Sequence, residues 1–472
     1  MVKKLSILTV ILFLATAQLF AAAKKNVILV VADGTGPAVM GFLMQYAKLA
    51  PESPYKDRLS NLEKLMKANS LSFVMNTPVS TVVSDSAATG TQLATGAITY
   101  PAAVGVDAQG RPVESILEKA QKAGYGTGLI TTVYLQDATP AVFAAHQKSR
   151  KLYNEIARDM LNTGPDVMLG GGLNYYMSAA DLEKSNIISK IHFAAALEPQ
   201  ARDTIFEDVL KSGYQLVFDK KALASAKGPK LLGLFAPQAL PYVIERGPQY
   251  PLLKDMTAKA LEVLSKREKG FFLMVEAGAI DWVLHANDQG ALLKELLEFD
   301  DTLGLIADFV QKNPNTLVII TADHDTGGFG LAYRKLKGIE LAEKKQAGYP
   351  LYEDTDYVAF ANLDIIAKQN KTLENIIKNY NALPAKDKTA KTIQKIVRDN
   401  MGFDISDELL AGETDIAKAI AGISKMLGVA WTTDNHTAEP VLAVFIAPAG
   451  AVTAPGIMHS TELNKIMENY LL

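Results

Sequence analysis

The sequence predicts an α/β fold: a large, mostly parallel central sheet with helices on both faces, plus an inserted helical crown or lid subdomain at about residues 331–429. Three observations carry this reading. Short apolar runs recur along the chain, and they are continuous rather than alternating, as strands buried on both faces require. Segments of helical period separate them, and alternating strands and helices build a sheet covered on both sides. After Leu331 lysines become frequent and the apolar runs shorten, which sets the inserted region apart.

The expected strands are residues 27–32, 128–132, 167–169, 271–275, 317–322 and 441–447. Helical periodicity marks residues 113–123, 149–161 and 256–267, and within the inserted region residues 373–380 and 388–398. Ahead of all these, Lys3 and Lys4 precede an apolar run over 5–20 and the small residues Ala21, Ala22 and Ala23. That is the pattern of a secretory signal peptide over residues 1–23. The mature chain, one domain from residue 24 to 472, is therefore expected to be secreted, and periplasmic in a Gram-negative source. No other stretch is long and apolar enough to cross a bilayer.

Charge and cysteine content narrow the chemistry. The chain carries 48 basic and 51 acidic side chains. Removing residues 1–23 takes away two lysines and leaves a formal charge of -5, with no electrostatic footprint for nucleic acid or an anionic membrane. There is no cysteine, so a metal has only His, Asp, Glu and hydroxyl ligands available.

Chemistry in such sheets gathers beyond the carboxyl ends of the strands. Asp33, Glu276 and the pair Asp323-His324 each follow an expected strand. In Asp281-Trp282-Val283-Leu284-His285, a carboxylate and an imidazole four residues apart share one helix face. Asp323-His324-Asp325-Thr326-Gly327-Gly328 places ligand types in a tight turn. In Ser84-Asp85-Ser86-Ala87-Ala88, a serine enters a helix of small residues, where free N–H groups favour a phosphate or an alkoxide. Gln136-Asp137-Ala138-Thr139-Pro140 is followed by Ser149-Arg150-Lys151, whose arginine offers a planar fork to phosphate oxygens. His436 stands in a loop before the last expected strand. Each motif alone has a plain structural explanation, as an N-cap, a polar loop or a solvated helix face.

Together and in this order, the segments from Asn26 to a C-terminal helix beginning near Ser460 resemble the alkaline phosphatases, least so over 331–429. The resemblance implies hydrolysis of phosphate monoesters, of broad specificity, with two Zn²⁺ and one Mg²⁺. It implies Asp281, His285 and His436 at the first zinc, and Asp33, Asp323 and His324 at the second, which also receives the oxygen of the nucleophile Ser86. Asp33 bridges to magnesium, which Thr139 and Glu276 also ligate and whose water Asp137 holds. Arg150 clamps the phosphate, and a homodimer is in keeping with the family.

Three residues depart from the family pattern. Trp282 replaces a common Lys or His, Thr326 a His beside the ligands of some members, and Ala438 a usual Gly. Of the remaining histidines, His146 is read as packing or supporting the site from the helix that carries Arg150, and His192 and His459 as surface or structural residues. A phosphodiesterase or sulfatase of the same superfamily is the competing enzyme. Thr139, Glu276 and Arg150 favour monoesters, and no C/S-x-P-x-R pattern surrounds Ser86. A phosphate- or metal-capturing binder would retain the ligands but not both Ser86 and Arg150.

Overall fold

Alternate residues of the first strand point into two different hydrophobic cores, and this one fact fixes the layers. In the computed structural model, which describes residues 24–197, 205–348, 354–406, 410 and 412–472, Ile28 and Val30 enter one core while Val27, Leu29 and Val31 enter the other. Phe271, Leu273 and Val275 alternate with Phe272 and Met274 in the same way. A strand covered on both faces has no polar side, which is why these runs are continuously apolar. The expected signal peptide, residues 1–23, lies outside the described residues.

The central sheet has ten strands. They are β1 (Lys25–Val31), β2 (Ser70–Met75), β3 (Gly126–Tyr134), β4 (Val167–Gly171), β5 (Gln215–Val217), β6 (Leu231–Leu234), β7 (Gly270–Glu276), β8 (Thr316–Thr321), β9 (Val441–Ile446) and β10 (Ile457–His459). Their spatial order is β10-β2-β9-β8-β1-β7-β3-β4-β6-β5. Every pairing is parallel except those of β9, which runs antiparallel to both β2 and β8. The run at 441–447 is thus a strand of opposite sense, and it is not the last, since β10 follows it. β2, β5, β6 and β10 are not among the strands the sequence predicts. β2 is half exposed and β5 and β10 are three residues each, so none carries a long apolar run.

Five helices frame the site: α1 (Ser86–Thr95), α2 (Tyr153–Thr163), α3 (Ala279–His285), α4 (Gln289–Lys312) and α5 (Ser460–Leu471). Helices α1, α2 and α5 cover the face lined by Val27 and Leu29, while α3 and α4 cover the opposite face. The site therefore draws Ser86 from one layer and Asp281 from the other. The helix expected over 149–161 begins only at Tyr153, so Arg150 stands in a turn before it and His146 in the preceding loop, neither on a helix.

Within 331–429 the helices Ala361–Lys368, Leu373–Asn381, Ala390–Met401 and Ile416–Met426 replace the sheet, in keeping with the texture of the sequence. Their apolar faces, among them Leu373, Ile376, Ile393 and Ile423, join the same core as Ile28 rather than closing on themselves. Asp288 fastens this region to α4. It caps α4 through Ala291 N–H at 3.0 Å and accepts from the backbone N–H of Leu373 at 2.7 Å and from Gln369 Nε2 at 2.6 Å.

Candidate metal centre and active site

Register brings the ligand types together. Val31 pairs with Glu276 on one side and with Thr321 on the other, and Glu276 pairs in turn with Thr131. The four neighbouring strands β8, β1, β7 and β3 therefore end at one level. Asp323 and His324 emerge beyond β8, Asp33 beyond β1, Glu276 closes β7, and Asp137 and Thr139 follow β3. Gly34 makes the turn after Asp33 with φ of 69°, and its N–H donates to Asp323 Oδ1 at 3.1 Å. A Cβ on Gly34 would stand 2.7 Å from Asp281 Oδ1, so the backbone passes the site where no side chain fits.

The carboxylates are buried beside one another. Asp33, Asp137 and Asp281 are at most 6% exposed, and Glu276 and Asp323 are fully buried. Burial, followed by repulsion from Asp323 and Asp281, pushes the Asp33 carboxyl well above its ordinary range. Burial and then repulsion from Asp137 and Asp323 push Glu276 up to about 8. Asp33 Oδ1, Asp323 Oδ2 and both oxygens of Glu276 have no hydrogen-bond partner. An unpartnered buried carboxylate is costly, and bound cations would offset that cost.

The histidines point the same way. His285 Nδ1 faces the Asp434 carbonyl at 2.6 Å and His436 Nδ1 faces the Ser84 carbonyl at 3.0 Å. A carbonyl only accepts, so each Nδ1 carries a proton and Nε2 is the nitrogen left to ligate a metal. Those two Nε2 atoms lie 3.1 Å apart, with Asp281 oxygens at 3.4 Å from one and 3.8 Å from the other. Two lone pairs and an anion converging on one point form a site that a cation would hold together. His324 Nε2 lies 3.1 Å from Ser86 Oγ, 3.3 Å from Asp323 Oδ2 and 3.7 Å from Asp33 Oδ1. Burial, with the neighbouring His436 adding to it, pushes His324 down to about 3, so its imidazole is neutral as a ligand must be. Ligand atoms of Asp33, Asp323 and His324, and those of Asp281, His324 and His436, each lie within 4.8 Å of one another.

A third set is all oxygen. Thr139 Oγ1 donates to Asp33 Oδ2 at 3.2 Å, and Asp33 takes part of its raised pKa from Glu276 and Asp137. The nitrogen-bearing sets suit zinc and the oxygen-only set suits magnesium.

Ser86 opens α1 at its first turn, 3% exposed, behind the N-cap Asp85, whose side chain accepts from Ala88 N–H at 3.1 Å. The Arg150 guanidinium donates to Asp85 Oδ2 at 3.2 Å and to Asp137 Oδ1 at 2.8 Å. The arginine is thus tied to the cap of the serine helix and to the carboxylate beyond β3. His436 is not in an open loop: His436–Thr437 forms a two-residue strand against Asp325–Thr326. Trp282 turns into an aromatic cluster, 5.9 Å from the ring of Tyr134, which in turn meets Tyr153 and Tyr175. Ala438 is exposed and touches none of the ligand side chains by any hydrogen bond. His192 packs on Phe193 and Tyr250, and His459 caps α5, both structural.

Converging buried acid oxygens and imidazoles, beside a serine at the start of a helix on the carboxyl edge of a mostly parallel sheet, define a metal-dependent hydrolase of the α/β class. The family model described as Alkaline phosphatase matches residues 24–472, and the chain belongs to the alkaline phosphatase family, whose reaction is phosphomonoester hydrolysis. Alkaline phosphatase 4 of Bacillus subtilis is 30% identical over 450 residues, covering 94% of this chain and 88% of the relative. The repressible alkaline phosphatase of Saccharomyces cerevisiae is 29% identical over 497 residues, covering 95% and 81%. Among solved structures, a cold-active alkaline phosphatase from a psychrophilic Shewanella superposes with a TM-score of 0.75 at 27% identity, covering 95% of this chain and 100% of that one.

The loop that carries Arg150 has its own anchor. His146 donates from Nδ1 to the Gly105 carbonyl at 2.7 Å and from Nε2 to Glu118 Oε1 at 3.1 Å, an arrangement that needs both ring protons. The Glu118 hydrogen bond, against the pull of burial, raises the His146 pKa above 6.5. For Glu118 burial pushes upward, but the hydrogen bonds from His146 and Ser115 outweigh it and hold the carboxyl below 4.5. The histidine's contribution is complete below pH 6.5 and fades as pH rises through its folded value, while that of Glu118 is complete above pH 4.5. His146→Leu is expected to cost about 1–2 kcal/mol of stability near pH 6 and less at pH 9, read by urea unfolding at the two pH values. An equal loss at both would show that the charge contributes nothing.

Proposed function

We propose that this phosphomonoesterase works with two zinc ions and one magnesium ion through a phosphoseryl intermediate on Ser86. The observation that carries the reading is the convergence of the His285 and His436 lone pairs on Asp281, with His324 set between Ser86 and two further carboxylates. Asp281, His285 and His436 would hold the first zinc, Asp33, Asp323 and His324 the second, and Asp33, Thr139 and Glu276 the magnesium, with Asp137 beside it. A structural neighbour at 25% identity and TM-score 0.64, a variant of the TAB5 alkaline phosphatase, has magnesium bound in its M3 site.

When bound, the ions supply positive charge that acidifies a hydroxyl and a water and offsets charge on the leaving oxygen. Ser86 would give up its proton to solvent, and its oxygen would bond to phosphorus as the ester P–O bond breaks, the leaving alkoxide taking a proton from solvent to depart as the alcohol. Water, losing a proton, would attack the same phosphorus from the vacated side; the Oγ–P bond breaks, phosphate leaves, and Ser86 Oγ takes up a proton again. The N-terminus of α1 favours anionic oxygens at Ser86, and Arg150 turns its fork from Asp85 and Asp137 toward the phosphate. Those contacts address the phosphate alone, so specificity for the alcohol is broad.

Turnover of matched aryl phosphate monoester, diester and sulfate at alkaline pH, with Zn²⁺ and Mg²⁺ and with chelator, tests this. The monoester is expected to dominate and to be lost with chelator. Ser86→Ala should cost on the order of a thousandfold or more in kcat, and Arg150→Lys roughly 10- to 100-fold in kcat/KM. Dominant diester or sulfate turnover would move the assignment within the superfamily. Absence of any turnover with metals bound would leave a binding protein.

We also propose a homodimer. Phe73 and Ile457 are register partners at the β2–β10 edge, 49% and 70% exposed, and Leu71 and Met75, also exposed, share the face of β2 that carries Phe73, alternating with buried residues. Exposed apolar surface on that scale suits a second copy. Light scattering after gel filtration should give twice the chain mass, and Phe73→Glu with Ile457→Glu should give the monomer. A wild-type monomer would remove the idea.

Export rests on the pattern of residues 1–23. N-terminal sequencing of protein recovered outside the cytoplasm is expected to read from Lys24, and an intact Met1 there would contradict it.

A further inference from the structure

Each of the three histidines at the site has its Nδ1 held by an oxygen, but the oxygens differ in kind. For His285 and His436 the acceptors are backbone carbonyls, of Asp434 and Ser84. For His324 it is a side chain: Thr326 Oγ1, at 3.2 Å. The same hydroxyl lies 2.6 Å from Asp281 Oδ1. A hydroxyl has one proton to give, and a carboxylate oxygen accepts only, so the proton goes to Asp281. Its lone pairs then face His324, which must carry hydrogen on Nδ1 and present Nε2 as a lone pair to Ser86 and Asp323.

The backbone of Thr326 is held as firmly as its side chain. Its N–H donates to the Gly34 carbonyl at 3.0 Å, next to Asp33, and the residue pairs across the short ladder with His436. Thr326 is fully buried. One residue thus touches the turn that carries Asp33, the strand that carries His436, the carboxylate of Asp281 and the ring of His324. No other side chain in the described residues bonds to a ligand of both nitrogen-bearing sets.

We propose that Thr326 is a positioning residue that fixes the tautomer of His324 and aims Asp281, so that a single hydroxyl couples the two zinc sites. The proposal rests on the two-zinc reading of the site. With the hydroxyl gone, His324 loses its Nδ1 acceptor and its ring is free to rotate or to place the proton on Nε2, where it blocks a metal. Asp281 loses a donor that orients one of its oxygens. Both sites then weaken together, although Thr326 ligates neither. Loss of a hydrogen-bond partner behind a metal ligand typically lowers affinity 10- to 100-fold.

The test is equilibrium competition for Zn²⁺ between the full-length protein and a chromophoric chelator, for wild type, Thr326→Val and Thr326→Ser. Valine keeps the shape of the side chain without the hydroxyl, and serine keeps the hydroxyl. The valine variant is expected to bind both zinc equivalents 10- to 100-fold more weakly, and serine to restore affinity to within about threefold of wild type. Cooperative melting of each metal-free variant, with the valine form expected to melt somewhat below wild type because buried polar atoms lose their partner, separates this from a failure to fold. Valine binding as tightly as wild type would overturn the proposal. So would serine and valine failing equally, because shape rather than the hydroxyl would then matter, or a loss confined to one equivalent, because the sites would not be coupled. A wild type that takes up no Zn²⁺ would instead overturn the metal-site reading itself, and this proposal with it.

Discussion

Mutual repulsion among buried carboxylates is the constraint on which the rest of this structure depends. Asp33, Asp137, Glu276, Asp281 and Asp323 share the carboxyl edge of one sheet, and Asp33 feels all four of the others. Left as anions without cations, such a group would resist folding; left as neutral acids, it would be useless as a set of ligands. The sheet around them is correspondingly rigid. Strands β8, β1 and β7 are buried on both faces and run in unbroken register, so the carboxylates cannot relax by moving apart. Metal binding and the integrity of this edge are one free energy viewed from two sides.

Much of this edge is legible in the sequence because parallel strands give long apolar runs, and the residue that ends such a run is easy to see. Asp33, Glu276 and Asp323 stand out in that way. The adjacency of their strands does not, since register depends on which runs pair, and nothing local says so. β9 reads as a strand but not as an antiparallel one, because burial on both faces erases the alternation that would have marked its sense. β2 alternates, but with serines and exposed apolar residues, and the pattern is too short to separate from a loop.

The polar parts of the site are harder to place than the acids. Helical periodicity extends 149–161 back over Arg150, yet Arg150 is fixed by its N–H to the Ala102 carbonyl and by two carboxylates, contacts between segments distant in sequence. Thr326 stands out in the sequence only as a departure from a family pattern. Its role depends on a hydroxyl reaching Asp281, 45 residues away, and on which atom owns the proton. Sequence records residue types at positions, and a proton's location is a property of the folded neighbourhood.

Asp85 shows how the serine helix and the arginine loop are made to act as one. Its Oδ1 caps α1 at Ala88 and also accepts from Ala102 N–H at 3.0 Å, while its Oδ2 holds Arg150. One carboxylate therefore sets the direction of the helix that presents Ser86, ties down the loop beside it, and keeps a guanidinium within reach of the same point. Because Arg150 is already paired with anions, a phosphate bound there as proposed would exchange one set of charge-assisted hydrogen bonds for another and would not find a bare cation. The net gain on binding is smaller than the contacts alone would suggest, and the product anion is released against the same competition. An enzyme whose product is as good an anion as its substrate needs such moderation, and on the proposed roles it would come from the cap of the helix that presents Ser86.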